Sequence, residues 1–89
     1  MKKTYKITLA EGLHARPTTL IVTAVNQFKS EVSMTYKEKT VNLKSIMGVM
    51  APGVAPGAVV EIAAEGDDAE AMLNKVTEVM TSNGIGEEC

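Results

Sequence analysis

Short stretches of alternating apolar and polar residues limit what this chain can fold into. Tyr5, Ile7 and Leu9 fall on one face of residues 4–9, with Lys6 and Thr8 on the other. Val32, Met34 and Tyr36 share a face of residues 31–36, and Val60, Ile62 and Ala64 share one of residues 58–65. A period of two marks a strand buried on one side and wet on the other. Residues 40–42 read as a fourth, shorter strand after a turn at Lys37-Glu38-Lys39. That turn lacks the Asn-Gly pair of a strong hairpin, so local sequence specifies its register weakly.

Helical spacing fills the gaps. From Ala15 to about Phe28 the apolar positions are Leu20, Ile21, Ala24, Val25 and Phe28, with Thr18, Thr19, Thr23, Asn26 and Gln27 mostly off that face. β-Branched residues there favour strand by propensity. The period and Pro17, which suits a first helical turn, favour helix. A brief helix is expected from Ser45 to about Met50, with Ser45 at or near its N-cap. Ala51-Pro52-Gly53 and Ala55-Pro56-Gly57 read as two tight turns. Asp67, Asp68 and Glu70 place negative charge at the start of a third helix, whose stripe runs Ala69, Met72, Leu73, Val76, Val79, Met80 to about Thr81. Gly84 and Gly86 read as stops, and Glu87-Glu88-Cys89 as a loose tail. The order is βαββαβα. Strands polar on one face need only one covered face, which gives a two-layer α+β domain with three helices on one side.

At 89 residues the chain is read as one domain, residues 1–89, with one core. Tyr5, Tyr36 and Phe28 are its only aromatics, so aliphatics and six Met residues must fill the interior. The net charge of −2 offers no basic footprint for nucleic acid. No apolar run approaches a membrane span, and Met1-Lys2-Lys3-Thr4 lacks the apolar core of a signal peptide. Cys89 alone builds no internal disulfide, which agrees with a cytoplasmic setting. One His and one terminal Cys make a poor metal-ligand set.

The chemistry concentrates in Gly12-Leu13-His14-Ala15-Arg16-Pro17, which holds the only histidine. His14 falls at about the N-cap of the first helix. The amides that open a helix lack intrahelical acceptors, and the macrodipole makes the site mildly positive. An imidazole beside free N–H donors and the Arg16 guanidinium has the parts to hold a phosphoryl group. Neutral imidazole is a nucleophile near pH 7, and the positive surroundings disfavour the imidazolium.

This hexapeptide resembles the active-site signature of HPr, the histidine phosphocarrier family of the bacterial sugar phosphotransferase system. Val41-Asn42-Leu43-Lys44-Ser45-Ile46-Met47-Gly48-Val49-Met50 resembles that family's regulatory serine region in its Gram-positive form. Both blocks lie in the family's order and spacing, and the resemblance covers nearly the whole chain. It implies an open-faced β-sandwich whose four-stranded antiparallel sheet has the order 1-4-2-3. It implies a carrier without a cofactor rather than an enzyme. The phosphoryl group comes from phosphoenolpyruvate through Enzyme I, rests on Nδ1 of His14 beside Arg16 and the Ala15 and Arg16 amides, and passes to a sugar-specific Enzyme IIA. It further implies phosphorylation of Ser45 by an ATP-dependent HPr kinase/phosphorylase. The product serves as corepressor of catabolite control protein A. Leu20, Ile46, Met47 and Met50 match docking positions, and a monomer is expected.

Two features depart from the pattern. Thr18 stands where the family usually has Ala, and Ala51-Pro52 where Ser-Leu is common. Pro52 is expected to stop the second helix early. A hydrolase using His14 lacks a second base and a Gly-x-Ser-x-Gly elbow. A regulatory interaction module working mainly through Ser45 remains the alternative. Sequence leaves open which sugars and Enzyme II partners are served.

Overall fold

The computed structural model describes all of residues 1–89. Its elements are β1 (Lys2–Ile7), α1 (Ala15–Val25), β2 (Glu31–Tyr36), β3 (Lys39–Asn42), α2 (Ile46–Met50), β4 (Val59–Glu65), α3 (Ala69–Ser82) and β5 (Gly86–Glu88). The strands pair antiparallel in the order β3-β2-β4-β1-β5. Without β5 this is the expected 1-4-2-3 sheet.

Alternation sets the layers. Tyr5, Ile7, Val32, Met34, Tyr36, Val60, Ile62 and Ala64 are buried and join residues of all three helices in a single cluster of 21. The intervening Lys6, Ser33, Thr35, Glu61 and Ala63 lie on the sheet's open face. β1 begins at Lys2 rather than Thr4, because Met1 extends the pairing: Ala64 N donates to Met1 O at 2.8 Å. Leu9 falls beyond β1, half-buried against the core. The β2–β3 turn forces Lys37 to a φ of 57°, where a β-carbon is crowded.

Three local expectations need correction. The tail is not loose. Gly84, at φ 63°, ends α3 with Ile85 N donating to Met80 O at 2.9 Å and Gly84 N to Thr81 O, the Schellman pattern. That reversal buries Ile85 and lays β5 along β1, so Gly86 continues a strand instead of stopping one. Cys89 N donates to Thr4 O at 3.0 Å, and Thr4 Oγ1 to Cys89 O at 2.9 Å.

The buried face of α1 keeps Ile21, Ala24 and Val25 of the expected stripe, with Phe28 half-buried against the core beyond its end, but not Leu20. Pro17, Thr18 and Val22 are buried as well, while Leu20 faces out, so the face is turned part-way around the axis from the one hydropathy marks. α1 also ends at Val25, short of Phe28. The Asn26 side chain bridges from Val22 O, at 2.9 Å, to Lys44 O, at 3.1 Å.

Asp68 occupies the N-cap of α3 but makes no side-chain cap to its own helix. Its carboxylate instead accepts from Ser30 Oγ, and at 2.9 Å from each of the Lys29 and Ser30 amides. It thus ties the α1–β2 connection to the β4–α3 connection. Gly66, at φ 141°, lets the two approach, since a β-carbon there would strike Ser30. The Ser30 hydroxyl first, and the Lys29 amide second, hold the Asp68 carboxyl down at about 2 from its usual 3.8. Burial of Tyr5 pushes its phenol up, against the opposing effect of a 2.7 Å contact with Thr77 Oγ1.

A carboxyl lowered in the folded state stabilises the fold above its unfolded value and loses that contribution as it protonates. Wild-type stability therefore falls as pH drops from about 4 to about 2. Asp68→Asn lowers the urea midpoint at pH 7 and flattens that acid limb. An unchanged limb in the variant would assign the acid sensitivity to other carboxyls.

Candidate functional site

The loop before α1 is held from beneath by the turns that follow α2. Leu13 N donates to Val54 O at 3.1 Å, and Gly12 N to Leu9 O at 3.1 Å. Gly12 sits at φ 71° with its α-carbon so close to Val54 O that a β-carbon has no room. Glycine is required there by both backbone conformation and clearance. The two Ala-Pro-Gly turns thus support the site loop.

His14 is the N-cap of α1 in extended conformation, as its position before Pro17 suggested. Its side chain is 42% exposed and makes no capping hydrogen bond. The first amide of α1 with a partner is that of Thr18, which donates to His14 O at 3.2 Å. Pro17 has no N–H, and the amides of Ala15 and Arg16 have no acceptor within the chain. Ala15 and Arg16 are exposed, and Arg16 has no carboxylate partner. The structure therefore brings together an accessible imidazole and two free amides, with an unpaired guanidinium in the same turn. That set can bind a dianion.

Glu11 was absent from the sequence candidates. Its Oε2 lies 3.5 Å from His14 Nε2. A carboxylate three residues before the histidine, across a turn made by glycine, is the signal that could have revealed it. It puts negative charge on the Nε2 side, opposite in sign to the amides and Arg16.

Ser45 is the N-cap of α2, as expected, and its Oγ accepts from Gly48 N at 3.1 Å. α2 ends at Met50 with Ala51 as C-cap, consistent with the stop expected from Pro52. Ser45 is not brought to His14. The bond from Asn26 to Lys44 O places the start of α2 at the C-terminal end of α1. His14 is at the other end, so about 16 Å of helix separates them. Leu20, Ile46, Met47 and Met50 are all exposed, Met47 to 84%. Val49 alone is buried from α2.

Thr18 is fully buried, and its Oγ1 has no hydrogen-bond partner. The expectation that it lies off the buried face fails, for the rotation of α1 described above. No helix is long and apolar enough to cross a membrane.

Comparison with known proteins adds to this geometry. Residues 1–82 match the family model described as PTS HPr component phosphorylation site. The fold is similar to the histidine-containing phosphocarrier protein of Mycoplasma, at 34% identity, with 96% of this chain and 97% of that one covered and a TM-score of 0.93. It is similar to phosphocarrier protein HPr from Bacillus anthracis at 37% identity, 89% and 94% coverage and a TM-score of 0.82. Crh, the Bacillus subtilis catabolite repression containing protein, is 39% identical over 83% of this chain and 85% of its own, with a TM-score of 0.73.

Gly12→Ala is expected to cost at least about 2 kcal/mol, from strain at positive φ and the clash with Val54 O, as read by urea unfolding. Thr18→Val replaces an orphaned buried hydroxyl with a methyl group of similar shape. It is expected to stabilise the fold by about 1 kcal/mol. A loss of stability in that variant would show that the hydroxyl has a partner in solution.

Proposed function

The chain belongs to the HPr family of phosphocarrier proteins, and from that premise we propose that it relays a phosphoryl group through His14. In this reading residues 1–89 act as one cytoplasmic domain. Enzyme I, charged by phosphoenolpyruvate, is the donor, and sugar-specific Enzyme IIA domains are the acceptors in sugar uptake. The reading rests on one observation above all. An accessible imidazole stands at the open start of α1, where the Ala15 and Arg16 amides have no acceptor of their own.

The transfer is simple to balance. The Nδ1 lone pair of His14 attacks phosphorus while the donor's N–P bond breaks and its electrons return to the donor. The phosphoryl oxygens then accept from the free amides and from Arg16. The same bonds must remain weak enough to let the group leave, and a half-exposed site favours that. The protein is a carrier, whose phosphohistidine is an intermediate in a relay catalysed by its partners. Leu20, Ile46, Met47 and Met50 offer the apolar surface on which those partners dock.

Ser45 is the proposed regulatory site, modified by an ATP-dependent HPr kinase/phosphorylase. A phosphoryl group at an N-cap brings roughly two negative charges to a position the helix dipole tolerates. The fold survives while the surface beside Ile46 and Met47 changes sign. Recognition by catabolite control protein A follows from that form. The likeness to Crh lends weight to a second reading, a module acting mainly through Ser45 in carbon catabolite repression. The intact His14 favours the relay.

Mass spectrometry after incubation with phosphoenolpyruvate and Enzyme I is expected to show a gain of one phosphoryl group, absent in His14→Ala and retained in Ser45→Ala. With ATP and the kinase the pattern reverses. A wild-type chain that gains nothing from Enzyme I would exclude the relay, and the second reading would stand.

A further inference from the structure

The two nitrogens of the His14 ring have different surroundings. Nε2 faces a carboxylate, Glu11 Oε2, at 3.5 Å. Nδ1 makes no capping bond to the amides that open α1. Glu11 could have turned to Arg16, the cation of the same segment, yet Arg16 remains unpaired. The backbone between Glu11 and His14 is constrained. Gly12 is locked at positive φ against Val54 O, and the Gly12 and Leu13 amides are both hydrogen-bonded. The turn therefore holds the Glu11 and His14 backbones close enough for the two side chains to meet.

We infer that Glu11 is a positioning residue for His14: it holds the ring proton on Nε2 and shortens the life of the phosphoryl group on Nδ1. This rests on the relay reading for its second half only. With the proton on Nε2, the lone pair is left on Nδ1, the nitrogen free to attack. When the N–P bond forms, the ring keeps its Nε2 proton, which Glu11 holds in place. When the phosphoryl group passes to water or to an acceptor nucleophile, the N–P electron pair returns to Nδ1 and the ring departs as neutral imidazole with Nε2–H, a better leaving group than the imidazolate of an unprotonated ring. The same carboxylate repels the phosphoryl dianion. Both effects favour departure. They oppose the Ala15 and Arg16 amides and the Arg16 guanidinium, which favour retention. The turn thus balances a holding set against a releasing charge.

Glu11 is 79% exposed, so its substitution leaves the core untouched. The test has two arms, neither needing a partner protein. In the first, 15N NMR of the unphosphorylated ring reports which nitrogen carries the proton. The Nε2–H fraction is expected to fall in Glu11→Ala and further in Glu11→Lys. An unchanged pattern in Glu11→Lys would overturn the proposal. In the second arm, phosphoramidate phosphorylates His14 chemically, and 31P NMR follows its spontaneous loss. Glu11→Gln is expected to slow that loss about two- to five-fold, the range open to an exposed charge pair at this distance. Glu87→Gln, which alters an acid on β5, is expected to match wild type. Equal rates for wild type and Glu11→Gln would overturn the releasing role. A chain that takes nothing from Enzyme I would exclude the relay, while both arms would still judge Glu11.

Discussion

α1 has two duties that pull in different directions. Its Pro17, Thr18, Ile21, Val22 and Val25 face must cover the apolar side of the sheet, and its first turn must stay without partners. Burying each aliphatic side chain contributes about 1.5–3 kcal/mol, which holds the helix body in place. Amides open to water at a helix end cost little, so the free first turn is tolerated. The packing below the helix is therefore what leaves an accessible first turn with free amides above it. Gly12 completes the arrangement, since only a residue without a β-carbon lets the incoming loop press against Val54 O.

α2 is the opposite case. Five residues are too few for a helix to persist by hydrogen bonding alone. A side-chain cap from Ser45, one buried residue in Val49 and the contact with α1 hold it. The other apolar side chains of α2 lie outside the core cluster, with Met47 the most exposed, which leaves surface available to other molecules. The Asn26 and Lys44 bonds fasten its entry to the far end of α1, at 2.8 Å for Lys44 Nζ to Phe28 O. One helix thus separates the His14 end from the Ser45 end, with Leu20 midway along it.

Short-range pattern gives way to long-range geometry in α1, at the C-terminal strand, at Asp68 and at Glu11. Leu20 and Thr18 exchange places because two overlapping faces that share Ile21 and Val25 run along α1, and hydropathy favours the one that includes Leu20. The sheet it packs on chooses the other, at the cost of an orphaned Thr18 hydroxyl. β5 escaped notice because Gly84 and Gly86 read alike in sequence. One is a helix stop at positive φ, and the other lies flat against Lys6 O in a strand. Asp68 looked like a helix-dipole charge, and its partners came from Lys29 and Ser30, distant in sequence. Glu11 is marked only by its spacing, three residues before His14 across Gly12, and by no apolar period.

The sequence by itself determined the two-layer α+β class, the strand and helix order through α3, the N-cap positions of His14 and Ser45, and the docking residues as candidates. Each of these depends on a local period, a proline or a cap, which act within a few residues. Only the tertiary structure decided which face of α1 is buried, that the tail closes the sheet as a fifth strand, and that Asp68 and Glu11 turn to Ser30 and His14. Those outcomes depend on which surfaces meet across the chain, and the free energy of burial and of satisfied hydrogen bonds is set only when they do.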